Sequence, residues 1–409
     1  MQAEKRAPGG KANLAAIATF LIILVVLLIV ALMNAPVQAT RATTRDVPTY
    51  LEAVRETGVP FLIAVGVGAA ILGLLAARTV RRVWPDKSRR AEMLAGYAFL
   101  APYILITLVF TVGVVLFAFY IAFNDYGIFT KPEWVGLDNF LEAFGQKEFL
   151  QSLHNVLWYA AIVTPVQTAI AIALAVLLNA PMRAKQFFRT IFYAPSVTSS
   201  VVITLIFIWL YLRTGYVNLL FDRVLGVFGI EWQALNWLGE PRGLLQLILG
   251  PFGVDIPSDQ WYLRGPSIAW MALMVQNIFT TAPTFMIMFL AALQDINPTL
   301  YEAAAIDGAS GWQRFWKVTL PLLRPIIVLV IVLGTIGTLQ VFDQIYLATS
   351  GGPLGTTLTP VYVVYREALG TQGPIQMGYG SALAFILAAI IFVFTFLQRR
   401  FIERGAEMY

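Results

Sequence analysis

Two carboxylates bracketing a short run of alanines are the most specific chemistry in this 409-residue chain. Tyr301-Glu302-Ala303-Ala304-Ala305-Ile306-Asp307-Gly308 is followed at a fixed distance by Val318-Thr319-Leu320-Pro321. Asn297 is a good N-cap, and Pro298 occupies the position where a helix tolerates proline best, so a helix is predicted to start there. Asp307-Gly308 ends it, because glycine adopts backbone angles that alanine avoids. Ser310 with Gln313 three residues on fits a capping box and starts a second helix. Trp312, Phe315 and Trp316 share one face of it, while Arg314 and Lys317 point elsewhere. Pro321 and Pro325 are expected to end this second helix. An alanine surface flanked by Glu302 and Asp307 lets another protein approach closely, so the chemistry implied is docking. The competing reading is an ordinary connection between two spans.

Polar side chains inside apolar runs are the other candidates, since they are costly in a bilayer unless they face a cavity or a neighbouring helix. The densest group is Gln276, Asn277, Thr280 and Thr281, followed by Pro283. Gln340, Asp343 and Gln344 form another, with Trp209, Tyr211, Asn155 and Gln167 elsewhere. Amides and aromatic faces suit a neutral sugar, whose hydroxyls need donors and acceptors and whose ring faces are apolar. For Gln276, Thr281, Gln340 and Trp209 the competing reading is interhelical hydrogen bonding or an interfacial belt. Asp343 lies 19 positions beyond Arg324 and is expected at the outer interface, and His154 near a helix end.

These residues must be positioned by membrane helices. The chain is 58% hydrophobic and 12% charged, with mean hydropathy +0.73 and charge-free runs that match a hydrocarbon core of about 30 Å. The runs fall at 12–40, 57–77, 93–124, 149–182, 190–212, 265–294, 325–342 and 368–398, which predicts an all-α polytopic membrane protein of eight spans. A transmembrane β-barrel would show alternating segments of about ten residues instead. The first run follows Lys5, Arg6 and Lys11, but its apolar core, Leu14 to Met33, is too long for a signal peptide.

Basic residues collect on cytoplasmic loops. With the N-terminus inside, 18 of the 28 Lys and Arg and 8 of the 23 acidic residues fall on the inner side, net +10 against −5 outside. Both termini are therefore predicted cytoplasmic, and the pI near 9.3 reflects the inner face rather than nucleic-acid binding. The chain has no cysteine and one histidine, which excludes disulfides, thiolate metal sites and a histidine-rich centre.

A basic linker from Arg78 to Arg90 divides a two-span N-terminal extension, 1–90, from a six-span body, 91–409. Two outer segments are large enough to have their own structure. One, 125–148, carries the turn Lys131-Pro132-Glu133-Trp134-Val135-Gly136. The other, 213–264, has apolar residues at helical spacing from Tyr216 to Ile230 and then a tryptophan- and proline-rich stretch. Such a segment lies on the membrane surface or receives an extracytoplasmic partner.

The spacing of Glu302-Ala303-Ala304, Gly308, Val318 and Leu320-Pro321 resembles the EAA signature of binding-protein-dependent ABC importer permeases, with valine where isoleucine is usual. Phe192-Tyr193-Ala194-Pro195, Leu293-Gln294-Asp295-Ile296 and Gly351-Gly352-Pro353 extend the likeness to the maltose-type sugar permeases over residues 95–409. The resemblance implies a type I importer core of six helices plus two N-terminal helices, in a bacterial plasma (inner) membrane. It implies four partners: a second permease subunit, a pair of ATPase subunits, an extracytoplasmic sugar-binding protein and a carbohydrate. Glu302, Ala303, Ala304, Asp307, Gly308, Leu320 and Pro321 would couple to the ATPase. Asn277 matches an asparagine that contacts sugar in that family, and Gln276, Thr281, Gln340, Trp209 and Tyr211 join it as candidates along the substrate path. The short loop between spans 3 and 4 and the stretch 242–264 depart from the enteric maltose pattern and bear on how a binding protein docks.

No Gly-x-x-x-x-Gly-Lys-Ser/Thr phosphate loop occurs, so no cofactor is expected in this chain, and ATP and magnesium would be held by a partner. An ion-coupled secondary transporter or channel is the alternative, but it would keep carboxylates or ion pairs mid-membrane, which spans 3 to 6 lack. An intramembrane enzyme would need convergent acid, base or metal groups, and the acidic residues here are scattered through loops.

Overall fold

The computed structural model describes residues 106–127, 132–257 and 260–403, together with isolated positions before 106. The two predicted N-terminal spans, most of the basic linker and the last six residues lie outside the described residues. Two compact units, 1–136 and 137–409, are taken in turn.

In the first unit a π-helical turn, Thr107–Gly113, leads into α1, Val114–Ile121. A two-residue ribbon follows, β1 Asn124–Asp125 antiparallel to β2 Glu133–Trp134, with Asn124 opposite Trp134. The Trp134 ring stacks on Phe123 at 5.6 Å. Glu133 and Trp134 of the predicted turn are thus part of the ribbon.

The second unit is a helical bundle. Short α2, Asp138–Gly145, precedes α3, Lys147–Asn179, whose 33 residues reach about 50 Å. Next come α4, Lys185–Val197, and α5, Ser200–Leu210, and then two short helices of the 213–264 segment, α6 Tyr216–Gly226 and α7 Leu244–Leu249. Helix α8, Ile268–Asp295, is capped by the Ser267 hydroxyl, which accepts from the Trp270 N–H at 3.0 Å. It leads to α9, Pro298–Ile306, and α10, Gly311–Arg314. A second π-helical turn, Phe315–Thr319, joins α10 to α11, Leu320–Leu322, and α12, Arg324–Leu339. The chain ends in α13, Asp343–Ala348, α14, Pro360–Leu369, and α15, Met377–Glu403.

Among the described residues four stretches are long and apolar enough to cross a bilayer: α3, α8, α12 with α13, and α15. Helices α4 and α5 add a fifth if the pair counts as one span, but they meet at 94°. The predicted fifth span is therefore broken. Pro195 has no N–H to continue the ladder, and Thr198 turns extended. Ser196 and Thr198 hydroxyls donate to the carbonyls of Tyr193 at 2.8 Å and Ala194 at 2.9 Å, so side chains satisfy groups at the corner. Pro321 and Pro325 also differ from expectation. They sit in the first turns of α11 and α12 and so begin helices rather than ending one.

Helix α3 packs along α8 and α12, and α15 closes against α12 and α14. Two apolar clusters result. One joins Phe149, Val156, Tyr159 and Val163 of α3 to Trp270, Leu273, Leu339, Ile345 and Leu383. The other joins Ala171, Ala175 and Leu178 to Met286, Phe289, Leu293, Leu323 and Val330. The Trp270 indole, wholly buried, donates to the Asn155 carbonyl at 2.9 Å and fixes α8 on α3.

Candidate functional site

Three of the long helices change from one apolar cluster to the other through a polar stretch, and the stretches lie level. Helix α3 brings Thr164, Gln167 and Thr168 between Val163 and Ala171, and α8 brings Gln276, Asn277, Thr280 and Thr281 between Met274 and Met286. Helix α12 brings Gly334, Thr335 and Thr338 between Val330 and Leu339. The result is a polar band across the middle of the bundle.

Most of the band is hydrogen-bonded within itself. The Thr281 hydroxyl lies 2.5 Å from Gln167 Oε1 and 2.8 Å from the Asn277 carbonyl. Thr164 and Thr338 hydroxyls approach to 3.4 Å, and the Gln398 amide of α15 donates to Thr335 at 2.9 Å. The buried Gln276 amide donates to Thr204 of α5 at 2.6 Å. Close approach here depends on Gly334, since a Cβ at that position would lie 2.5 Å from Gln167 Nε2. Two acceptors are left over: Asn277 Oδ1 and Gln398 Oε1 are buried with no hydrogen-bond partner among the described residues. An orphaned acceptor costs about 1–3 kcal/mol, which a ligand donor would recover.

The sequence candidates divide accordingly. Asn277 and Thr281 sit in the band. Gln276 and Tyr211 are committed to neighbouring helices, the Tyr211 hydroxyl donating to the Ala272 carbonyl at 2.9 Å. Gln340 is exposed at the end of α12, where the helix breaks before α13, and Asp343 begins α13, also exposed. Trp209 is 58% exposed and packs edge-on to Tyr216 at 5.4 Å, beside a shallow pocket lined by Leu212, Thr214 and Leu219. His154 accepts from Trp158 Nε1 at 3.2 Å within α3.

The alanine hairpin stands at the end of the bundle that holds Asn179, Asp295 and Arg324. Asn297 caps α9 by accepting from the Thr299 N–H at 3.1 Å. Its far end is a paired closure in which the Ala309 N–H reaches the Ala304 carbonyl at 2.9 Å and the Gly308 N–H the Ala305 carbonyl at 3.0 Å. Gly308 takes φ +75°, the left-handed geometry that this closure requires. Ser310 and Gln313 form the expected capping box, with bonds of 2.7 and 3.3 Å. Trp312, Phe315 and Trp316 pack on one another with centroids 5.4–6.1 Å apart. No residue of α9 is buried: Glu302, Ala303, Asp307 and Gly308 are exposed, and Ile306 is 87% exposed. Of the other two hairpin candidates, Leu320 and Pro321, Leu320 packs partly against the apolar cluster at this end.

A third feature escaped sequence reasoning. Asn218 of α6 is almost wholly buried, and its Oδ1 accepts from Trp232 Nε1 at 3.1 Å, Trp237 Nε1 at 3.2 Å and the Leu235 N–H at 3.0 Å. Its Nδ2 faces the carbonyls of Leu212, Arg213 and Leu235 at 2.8–3.1 Å. Phe221, Trp232 and Trp237 stack around it. The 213–264 segment is thus folded around one amide. Its signal was a lone asparagine in an apolar helix ahead of two tryptophans.

A multi-helix apolar bundle with a polar band at mid-depth and an exposed capped hairpin at one end defines a membrane transport component. The profile of the family described as "Binding-protein-dependent transport system inner membrane component" matches residues 167–405, and the chain belongs to that family. The probable ABC transporter permease protein YesP of Bacillus subtilis (strain 168) is 33% identical over 315 residues, covering 76% of this chain and 91% of that one. The trehalose/maltose transport system permease protein MalF of Thermococcus litoralis is 28% identical over 312 residues, 76% of this chain and 94% of the relative. Among solved structures, a bacterial ABC transporter involved in the import of the acidic polysaccharide alginate aligns with TM-score 0.61 and 25% identity over 79% of this chain and 99% of that one. The protein is a multi-pass membrane permease subunit of the ABC importer class, and its relatives are permeases rather than enzymes.

Proposed function

We propose that this chain is one of two permease subunits of a carbohydrate importer, with α9 as the seat for a separate ATPase subunit. The observation that carries the ATPase contact is that no residue of α9 is buried and most are exposed, on a helix whose two ends are firmly capped. A helix so built is shaped for a partner's groove. Glu302, Ala303, Ala304, Asp307 and Gly308 form the contact, and Leu320 and Pro321 connect it to α12. ATP and magnesium belong to the partner. The hairpin end and both termini face the cytoplasm, and an extracytoplasmic binding protein delivers the sugar to the opposite end, near α6 and α7. The maltose and alginate carried by similar proteins favour a carbohydrate, and so does a mid-depth band of amides and hydroxyls without carboxylates.

Asn277 is the residue assigned to sugar contact, because its orphaned Oδ1 lies in the band. Thr281, Gln340 and Trp209 remain along the path. Tyr211 and Gln276 shape it from behind, since their polar atoms are already paired. Closure of the ATPase pair displaces α9, and the bundle answers by opening the band to the other side.

The test is purification from the native membrane in mild detergent, with mass spectrometry of what stays bound. A second polytopic subunit and a phosphate-loop ATPase are expected. Recovery of the chain alone, in a preparation that retains other such complexes, would refute the assignment.

A further inference from the structure

We propose that the hydrogen bond between the Tyr301 and Thr319 hydroxyls is the latch through which movement of α9 turns α12. The inference rests on the reading of α9 as the ATPase contact. It names the residues that carry the movement onward.

Helix α9 is loosely held. It makes no extensive packing contact with any other described element, and it is joined to its neighbours by the extended residue Ile296 on one side and by Gly308 on the other. Among the described residues, one side-chain hydrogen bond ties it to another element, and that is Tyr301 Oη to Thr319 Oγ1 at 3.0 Å. A helix on two chain joints could swing without consequence; the latch gives the swing a direction.

Thr319 is placed to pass it on. It is buried, closes the π-helical turn Phe315–Thr319, and accepts from the Leu323 N–H at 3.0 Å through its carbonyl. Leu323 is wholly buried in the apolar cluster at that end, and α12 starts at the next residue. The turn itself is irregular. Pro321 has no N–H for the Lys317 carbonyl four residues back, which disfavours a regular α-helix there. The Leu320 N–H instead reaches the Phe315 carbonyl, one residue further than an α-helix allows. Thr319 Oγ1 also lies 3.5 Å from the Arg314 carbonyl, at the limit of hydrogen bonding. Rewinding this turn by one residue rotates everything beyond it by about 100°. Tyr301 bonds to the residue at the pivot.

The chain has no cysteine, so a pair of labels can be placed cleanly. In the assembled complex, spin labels at Leu333→Cys on α12 and Phe392→Cys on α15, both exposed, report the distance between these helices. ATP with vanadate should change that distance. Tyr301→Phe and Thr319→Val should each cut the change about five-fold or more while the ATPase still co-purifies and traps nucleotide. Thr319→Ser, which keeps the hydroxyl, should restore it, and the double variant should be no worse than either single one. An unaltered distance change in both single variants would overturn the latch, as would additive losses or failure of Thr319→Ser. Absence of a bound ATPase from the parent complex would instead overturn the function proposed for α9, and the latch with it.

Discussion

Gly334 lets the polar band form, and replacing it with alanine isolates the band's contribution to stability. The new Cβ would lie 2.5 Å from Gln167 Nε2, 3.4 Å from Thr164 Cγ2 and 3.7 Å from Phe285 Cε2. The first contact is intolerable, so Gln167 must move, and its short bond from Thr281 goes with it. Gln167 is 1% exposed, so its amide must shift inside the bundle. Overpacking costs about 1–3 kcal/mol, and a lost interhelical hydrogen bond in a membrane protein about 0.6–1.7 kcal/mol. Alanine returns about 1 kcal/mol in helix propensity. The net is a loss of roughly 1–3 kcal/mol, measurable by SDS-titrated unfolding of the purified chain in mixed micelles. Gly337→Ala, three residues along the same helix with nothing within 4 Å of its Cβ, serves as the control and should be neutral or stabilising. Adding Gln167→Ala to Gly334→Ala should cost less than the sum of the two. If Gly334→Ala unfolds within about 0.5 kcal/mol of the parent, or behaves like Gly337→Ala, the band is not packed as described.

Asn218→Ala strips two indoles and a backbone N–H of their shared acceptor, so the 213–264 segment should lose about 2–4 kcal/mol of local stability; faster proteolysis within it and a shift in tryptophan emission would show this, and unchanged cleavage would not fit. Gly308→Ala should cost only about 1–2 kcal/mol of hairpin stability from the positive φ, because its Cβ enters open space. Gly308→Asp and Glu302→Lys should leave membrane insertion intact yet sharply reduce the ATPase recovered in pull-down, and full recovery with normal activity would count against docking. The Arg242 guanidinium grips Glu240 with bonds of 2.8 and 3.0 Å and holds its carboxyl below the usual range. The lowered value means that the clasp stabilises the fold above the ordinary carboxylate pKa and is lost as pH falls through the depressed one. Amide protection around Arg242, taken relative to the intrinsic exchange rate at each pH, should therefore hold at neutral pH and fall only in acid, by a small amount because the Arg242 side chain is exposed.

The hairpin was legible because its signals are local. Asn297, Pro298, Gly308, Ser310 and Gln313 act on backbone within four residues, and each does what its type dictates. Membrane class was equally legible, since unbroken apolar runs admit few other folds. What the sequence hid was pairing between distant helices. Gln276 and Tyr211 were reasonable candidates until Thr204 and the Ala272 carbonyl proved to be their partners, 72 and 61 residues away. The same blindness covered Gly334 against Gln167, and the Asn218 cluster. The bend between α4 and α5 was missed for another reason: hydropathy is indifferent to direction, and a run from 190 to 212 reads alike straight or folded.

That bend sets a distance. The eleven residues of α5 rise about 16 Å, roughly half the hydrocarbon thickness. If α5 runs along the bilayer normal from one face, backbone at Thr198 and Ser199 sits well inside the bilayer profile, where exposed amides survive only against water or protein. A wedge of solvent reaching that depth would thin the insulating layer along this side of the bundle. The voltage across the membrane would then fall over a shorter path, and a charged or strongly hydrated cargo would have less dry distance to cross.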